Sequence, residues 1–310
     1  MNAIEYNANA KLLLFGEYFV LDSCPALAVP LLFGQQLHHR SDFVQVKGLH
    51  WKSYDHKEQL WFEAFFDENL NLLHHLNADT AQTLQHILRQ ASILNPNWLK
   101  DGKYHEALTK IDYPIEWGLG SSSTLVALIA QWSKTNPFDL FFSCLTGSGY
   151  DIACALSQNP ICYTLRGHNP EVANVTINWS FKKQLVFIYT GKKQSSSEAI
   201  SHYKKMDSNK LRYVNQMENI VYEAIRCSSK DEMLSLMQRS EDLISESLKL
   251  EKVKDRLFQD FPGAIKSLGA WGGDFAMALS HTEDFNTKKY FAQKGYIHNF
   301  SYQDIVLETI

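Results

Sequence analysis

The chain reads as an α+β protein of two domains, and three features say so. Strand-like and helix-like segments are mixed along the sequence, in the order expected of α+β architecture. Its 310 residues, 45% of them hydrophobic and 21% charged, can bury one large or two medium cores. Periodicity then fades at residues 167–175, which places a boundary between residues 1–172 and 173–310.

The elements follow in order. Residues 10–16 and 26–33 are apolar runs around a turn at Asp22-Ser23-Cys24-Pro25, and 42–46 and 59–66 read as further strands, so the chain opens β-rich. Thr80 is placed to cap a helix in which Leu84, Ile87, Leu88, Ala91 and Leu94 recur at helical spacing, and Asn95-Pro96 ends it. Ala107, Thr109, Ile111, Tyr113, Ile115 and Trp117 then share one parity while Glu106, Lys110, Asp112 and Glu116 share the other, the pattern of a half-buried strand reaching Trp117. A helix is expected from the apolar run Leu125 to Ala130, and another over 137–146. Gly147-Ser148-Gly149 breaks the latter, 151–156 resumes helix, and 161–165 is a strand. The second half predicts a strand at 184–189, a helix with Val214, Met217, Val221 and Ile225 on one stripe, and a second with Leu236, Leu243 and Ile244. A glycine-rich loop at 269–273 leads into a strand at 275–279, then a helix near 285–293 and a strand near 296–302.

Composition excludes several classes. A net charge of -4 without interleaved aromatic and basic residues leaves no nucleic-acid footprint. Residues 1–11 lack a basic leader with a long apolar core, and Leu12 to Phe15 is too short to span a bilayer, so no membrane association and a cytoplasmic location are expected. Five cysteines (Cys24, Cys144, Cys154, Cys162, Cys227) are odd in number and lack CxxC or zinc spacing, as expected of reduced core residues. His38-His39 and His74-His75 are adjacent pairs whose rings diverge, a poor metal site.

The most informative segment is Trp117-Gly118-Leu119-Gly120-Ser121-Ser122-Ser123-Thr124. A strand entering a Gly/Ser turn that opens a helix aims free backbone N–H groups and the positive dipole end at one point, where a phosphate can sit. The same residues also suit an ordinary helix start capped by Ser121, Ser122 or Ser123. The run lacks the lysine of a Walker A loop and the third glycine of a dinucleotide fingerprint.

Three further segments stand in a fixed order around it: Lys11-Leu12-Leu13-Leu14-Phe15-Gly16-Glu17-Tyr18, Gly147-Ser148-Gly149-Tyr150-Asp151-Ile152-Ala153, and Gly269-Ala270-Trp271-Gly272-Gly273-Asp274. Together the four resemble the motifs of the GHMP kinases, a superfamily that includes galactokinase, homoserine kinase, mevalonate kinase and phosphomevalonate kinase. The Gly16-Glu17-Tyr18 form of the first motif and the Gly147 to Ala153 segment look most like the phosphomevalonate kinase branch, and Tyr189-Thr190-Gly191-Lys192-Lys193 resembles the segment that opens its second domain. The resemblance runs from Lys11 to Leu279. It implies an N-terminal domain like domain 2 of ribosomal protein S5, a ferredoxin-like C-terminal domain, and ATP-dependent phosphorylation of a mevalonate-pathway acceptor, phosphomevalonate first, with mevalonate or another sugar or alcohol, a diphosphomevalonate decarboxylase-like reaction, or nucleotide binding without catalysis as the alternatives.

Phosphoryl transfer needs the donor phosphates held in line with an acceptor and their charge neutralised. The resemblance makes Asp151 the catalytic carboxylate, in an open turn where it can orient or deprotonate an acceptor hydroxyl. It makes Lys11 an active-site residue whose ammonium, if paired with Asp151, keeps that carboxylate ionised and steadies the oxyanion. Gly118, Leu119, Gly120, Ser121, Ser122 and Ser123 would hold ATP, with Gly269, Gly272 and Gly273 leaning on the phosphate loop. Ser122 would reach Mg²⁺ and Asp139 is the candidate acidic ligand, being the one carboxylate between Gln131 and Asp151. Glu17, Gly149 and Tyr150 are implied acceptor contacts, Glu17 alternatively a structural one. Lys192, Lys193, Ser195 and Ser196 offer ammonium groups and N–H donors suited to an acceptor already bearing a phosphate, although a solvated loop and a simple cap explain them equally. A small-molecule substrate and a monomer or homodimer are expected.

Two departures stand out. Asn9-Ala10 replaces the Pro-Gly common before the first motif's lysine, which Ala10 tolerates only with an ordinary backbone angle. Trp271 stands among the glycines of the last motif, where an indole must either point away or reshape the nucleotide pocket.

Overall fold

The computed structural model describes residues 4–43, 47–191, 200–201, 203–205, 210–269, 271 and 274–309. By contact the chain forms two units interleaved in sequence. Unit 1 holds Met1–Ala10, Phe33–Ile115 and Gly120–Leu156, and unit 2 holds Lys11–Leu32, Glu116–Leu119 and Ser157–Ile310. Two long strands, β1 (Ile4–Phe15) and β2 (Ala26–Asp42), contribute residues to both.

In unit 1 the second half of β2 runs antiparallel to β6 (Tyr104–Ile111), from Gln35↔Ile111 to Asp42↔Tyr104. Next to β6 lies β3 (Gly48–Tyr54), parallel to it, followed by β4 (Leu60–Phe66) and β5 (Leu72–His75), each antiparallel to its predecessor. One face is apolar because alternate residues point to it: Leu49 and Trp51, Phe62, Ala64 and Phe66, and Ala107 all lie in one buried cluster. That cluster also takes in α1 (Ala78–Leu94), α2 (Ser121–Ser133), α3 (Pro137–Cys144) and α4 (Tyr150–Leu156). Burying side chains as large as Trp51 and Phe62 stabilises the unit by roughly 2–3 kcal/mol each. Helix α2 is apolar nearly all round, with Val126 to Ala130 buried without a break, and is therefore an interior helix.

The sequence expectations need correction in places. Asn77, not Thr80, caps α1, its side chain accepting the Thr80 N–H at 3.0 Å. Strand β6 stops at Ile111 instead of reaching Trp117, because Pro114 has no N–H to donate and restricts Tyr113, and Ile115–Trp117 turns as a short 3₁₀ segment. Helix α3 ends at Cys144.

Unit 2 has an antiparallel sheet in the order β10-β11-β9-β12, from β9 (Val186–Tyr189), β10 (Gly263–Leu268), β11 (Phe275–Ser280) and β12 (Asn299–Ser301). Its core joins Val186, Ile188, Ile265, Ala276 and Ala278 to Phe258, Phe261 and Phe291. Its helices include α5 (Lys210–Arg226), α6 (Lys230–Leu248), α7 (Val253–Leu257), α8 (Thr287–Gln293) and α9 (Tyr302–Ile305), with α6 packed on both α5 and β10. The first residues of β2 pair with β7 (Ile161–Arg166), which forms a hairpin with β8 (Asn169–Asn174). Residues 167–175 thus hold a strand the sequence did not reveal: β8 is almost wholly exposed, so no buried face imposes alternation on it. All five cysteines are free thiols, and among the described residues no helix is long and apolar enough to cross a membrane.

Candidate active site

The glycine-serine turn in unit 1 opens α2 without a side-chain cap. Gly120 is the N-cap of α2, left-handed at φ 97°, and no side chain caps the helix. The first intrahelical bond runs from the Thr124 N–H to the Gly120 carbonyl at 3.0 Å, so Ser121, Ser122 and Ser123 occupy the first turn, where N–H groups have no intrahelical acceptor. None of the three serines caps the helix. Thr124 Oγ1, 2.7 Å from Gln35 Oε1 and 3.0 Å from the Ser121 carbonyl, ties the first turn to β2. A fixed turn with uncapped donors and the positive dipole end is what a phosphate requires.

Asp151 lies in the first turn of α4, a helix packed on α2. Gly147 (φ 146°) and Gly149 (φ 83°) reverse the chain before it, and the Gly149 carbonyl accepts the N–H groups of Ile152 and Ala153 at 3.0 and 3.3 Å. Tyr150 and Ile152 to Ala155 are buried, whereas Asp151 is half-exposed. Asp139 is exposed in the first turn of α3, its N–H given to the Asn136 side chain at 3.2 Å. No group of three or more His, Cys, Asp or Glu side chains gathers as a metal site among the described residues.

In unit 2, the residues leading into the loop are firmly held. Lys11 N–H donates to the Leu119 carbonyl at 3.2 Å and Tyr189 Oη to the Glu116 carbonyl at 3.2 Å. The Trp117 ring is enclosed by Tyr189, Phe275, His298 and Phe300, with ring centroids 5.3 to 5.9 Å away. Gly118 (φ 70°) must be glycine on two counts, since a Cβ there would also stand 2.5 Å from the carboxyl carbon of Asp274. Asp274 is buried, and its carbonyl accepts the Thr190 N–H at 2.8 Å and hydroxyl at 3.0 Å. Ala10 is buried in extended β1, so the missing Pro-Gly is accommodated.

Glu17 is not an open substrate contact. It is buried against the ammonium of Lys266, which fixes it as a structural residue. Tyr18, next to it, has φ 64° and ψ -50°, and the Phe19 N–H reaches the Glu17 carbonyl at 2.7 Å. This is a positive-φ γ-turn, the strained kind, costing roughly 1–3 kcal/mol. The Tyr18 hydroxyl accepts the Trp271 N–H at 2.9 Å while its ring stacks on Tyr203 at 5.8 Å. Burial pushes the Tyr18 hydroxyl up to about 12, so it stays protonated. The Trp271 indole is itself buried, and its Nε1 has no partner among the described residues. Gly269 turns at φ 69°. Gly272, Gly273, Lys192, Lys193, Ser195 and Ser196 lie outside the described residues.

Sequence reasoning missed Tyr18 and Asp274 as structural partners although both stood inside quoted motifs. Lys266 and Glu241 were missed entirely, Lys266 being a single charge in an apolar run and Glu241 one of several polar residues between Gln238 and Asp242.

Neither family profiles nor curated protein sequences give a match. Solved structures do. The chain is similar to mevalonate kinase from Methanococcus jannaschii (TM-score 0.71, 14% identity, 99% of each chain covered). It is similar to Streptococcus pneumoniae phosphomevalonate kinase in complex with phosphomevalonate and AMPPNP (TM-score 0.70, 16% identity, 96% of this chain and 99% of that one). Lactococcus lactis galactokinase complexed with galactose also matches (TM-score 0.70, 14% identity, 99% and 94%). The α+β fold of the GHMP kinases, expected from four motifs, is the fold of this chain.

Proposed function

We propose that this protein is an ATP- and Mg²⁺-dependent small-molecule kinase of the GHMP type, a cytoplasmic monomer or homodimer acting on phosphomevalonate, with mevalonate as the next acceptor to test. The observation that carries this reading is the start of α2: a left-handed glycine N-cap, three first-turn serines and no side-chain cap, a donor set that suits a phosphate. Among the similar solved structures are a kinase bound to phosphomevalonate and AMPPNP and two others of the same fold, which supports this reading.

In this reading Gly118 to Ser123 are assigned to the triphosphate, and Gly269, Gly272 and Gly273 to nucleotide binding. The Ser122 hydroxyl and the exposed Asp139 carboxylate are assigned to Mg²⁺, whose charge offsets that of the terminal phosphates. An acceptor oxygen attacks the γ-phosphorus, the bond to the β,γ-bridging oxygen breaks, and ADP leaves. Asp151 takes the proton of a hydroxyl acceptor. With a phosphate acceptor, already ionised near neutral pH, it orients the nucleophile instead. Lys11 steadies the negative charge that develops on the acceptor. Lys192, Lys193, Ser195 and Ser196 are assigned to the acceptor's own phosphate.

Asp151→Asn tests the central role. The expected outcome is turnover lowered roughly 10²- to 10⁴-fold with ATP affinity by titration calorimetry nearly unchanged. Unaltered turnover would remove Asp151 from the mechanism. Release of carbon dioxide from diphosphomevalonate would instead mark a decarboxylase.

A further inference from the structure

Three charged side chains are sealed inside unit 2: Lys266 is 0% exposed, Glu17 1% and Glu241 1%. Lys266, on β10, gives its ammonium to Glu17 Oε1 and, at 3.0 Å, to the Ser267 carbonyl. Glu241, on α6, accepts the Ser267 N–H at 2.9 Å. Strand β10 is the edge of its sheet, paired only with β11 among the described residues, in the register Ser267↔Ala276. In an antiparallel edge strand every second residue turns its N–H and C=O away from its neighbour. Ser267 is such a residue, and Glu241 and Lys266 satisfy its two groups. Two positions later the strand enters the Gly269 turn.

The charges do not balance if all three groups ionise. The groups facing Glu241 are Lys266 and Glu17, together with Lys252 after α6, which is already ion-paired with Asp242; α5 offers the uncharged Met217 beside Ser240. Outer oxygens Glu17 Oε2 and Glu241 Oε2 are both buried without a partner among the described residues. Two carboxylates against one ammonium leave an uncompensated negative charge, which burial strongly disfavours. Glu17 is the one in direct contact with Lys266, so the proton belongs on Glu241.

We propose that Glu241 is held protonated and acts as a positioning residue, pinning the end of β10 and through it the Gly269 turn of the last motif. The catalytic half of this inference rests on the kinase reading, the protonation does not. Desolvation agrees with the geometry, pushing Glu241 up to about 8 and Glu17 upward as well. The folded state therefore binds the extra proton between the ordinary carboxylate value, 4.5, and about 8, so this contribution to stability falls as pH rises through that window and is gone above it.

The experiment compares urea unfolding of the wild type and Glu241→Gln from about pH 6 to pH 9, with ADP release followed over the same range. The wild-type unfolding constant should rise by up to about tenfold per pH unit relative to the variant below pH 8, and the wild type alone should show KM for ATP climbing above pH 8. Parallel stability curves would overturn the proposal, as would identical KM profiles. Should the variant not fold, infrared spectra of glutamate-labelled wild type decide: a protonated carboxyl band at neutral pH that disappears by about pH 9.5 is expected, and its absence at neutral pH is fatal to the idea. If no ADP is released at any pH the kinase reading fails, while the unfolding and infrared measurements still decide the protonation.

Discussion

Single residues carry most of the chemistry, and several do so because nothing else fits. Gly118 combines a left-handed backbone with the Asp274 carboxylate where its Cβ would be, so Gly118→Ala should lower stability by about 2 kcal/mol or more in urea and weaken ATP binding together with it. Tyr18 holds a strained turn by lending its hydroxyl to the Trp271 N–H. Tyr18→Phe keeps the ring stack on Tyr203 but leaves that N–H unpaired, for an expected loss of about 1–3 kcal/mol in urea unfolding. Asp151 and the serines stood out in the sequence because glycines flank them within motifs that resemble a known family, since polar residues at a helix start by themselves equally serve as caps. Glu241 did not, because a glutamate beside Arg239 and Asp242 in an amphipathic helix reads as a surface charge until its burial is seen.

Elements were legible where one face is buried and obscure where none is. Helices α5 and α6 were readable from Val214, Met217, Leu236 and Ile244, all buried, whereas the exposed β8 gave no alternation to read. The end of β6 was misjudged because side-chain parity continues through buried Tyr113 and Trp117 after Pro114 has stopped the ladder. Strands β2 and β6 also carry a pH response. His39 Nε2 lies 3.0 Å from His105 Nδ1, and His105 Nε2 is 2.9 Å from Asp101. That chain needs His105 neutral, with its Nδ1 accepting, and burial lowers His39 to about 4 and His105 below the usual histidine value. The unfolded chain thus binds more protons between pH 6.5 and about 4, and stability falls as pH drops through that range. Allowing for the partial exposure of His39, its share is about 2 kcal/mol. Urea midpoints at neutral pH and near pH 4.5 should diverge in the wild type and converge in His39→Asn.

At the scale of the whole molecule, four short motifs in order were enough to indicate the fold, and solved structures at 14–16% identity have it over 94–99% of their length. Fold was readable at that distance because each motif fixes a backbone feature: a left-handed glycine, a helix start, a chain reversal. The acceptor was less readable, since acceptor recognition rests on side chains, and no backbone feature marks those in a sequence. ADP release with mevalonate, phosphomevalonate, homoserine and galactose, each with and without Mg²⁺, tests the central claim most directly. The expected result is Mg²⁺-dependent release with phosphomevalonate or mevalonate, largely lost in Asp151→Asn. Saturable ATP binding with no release on any of the four would contradict it.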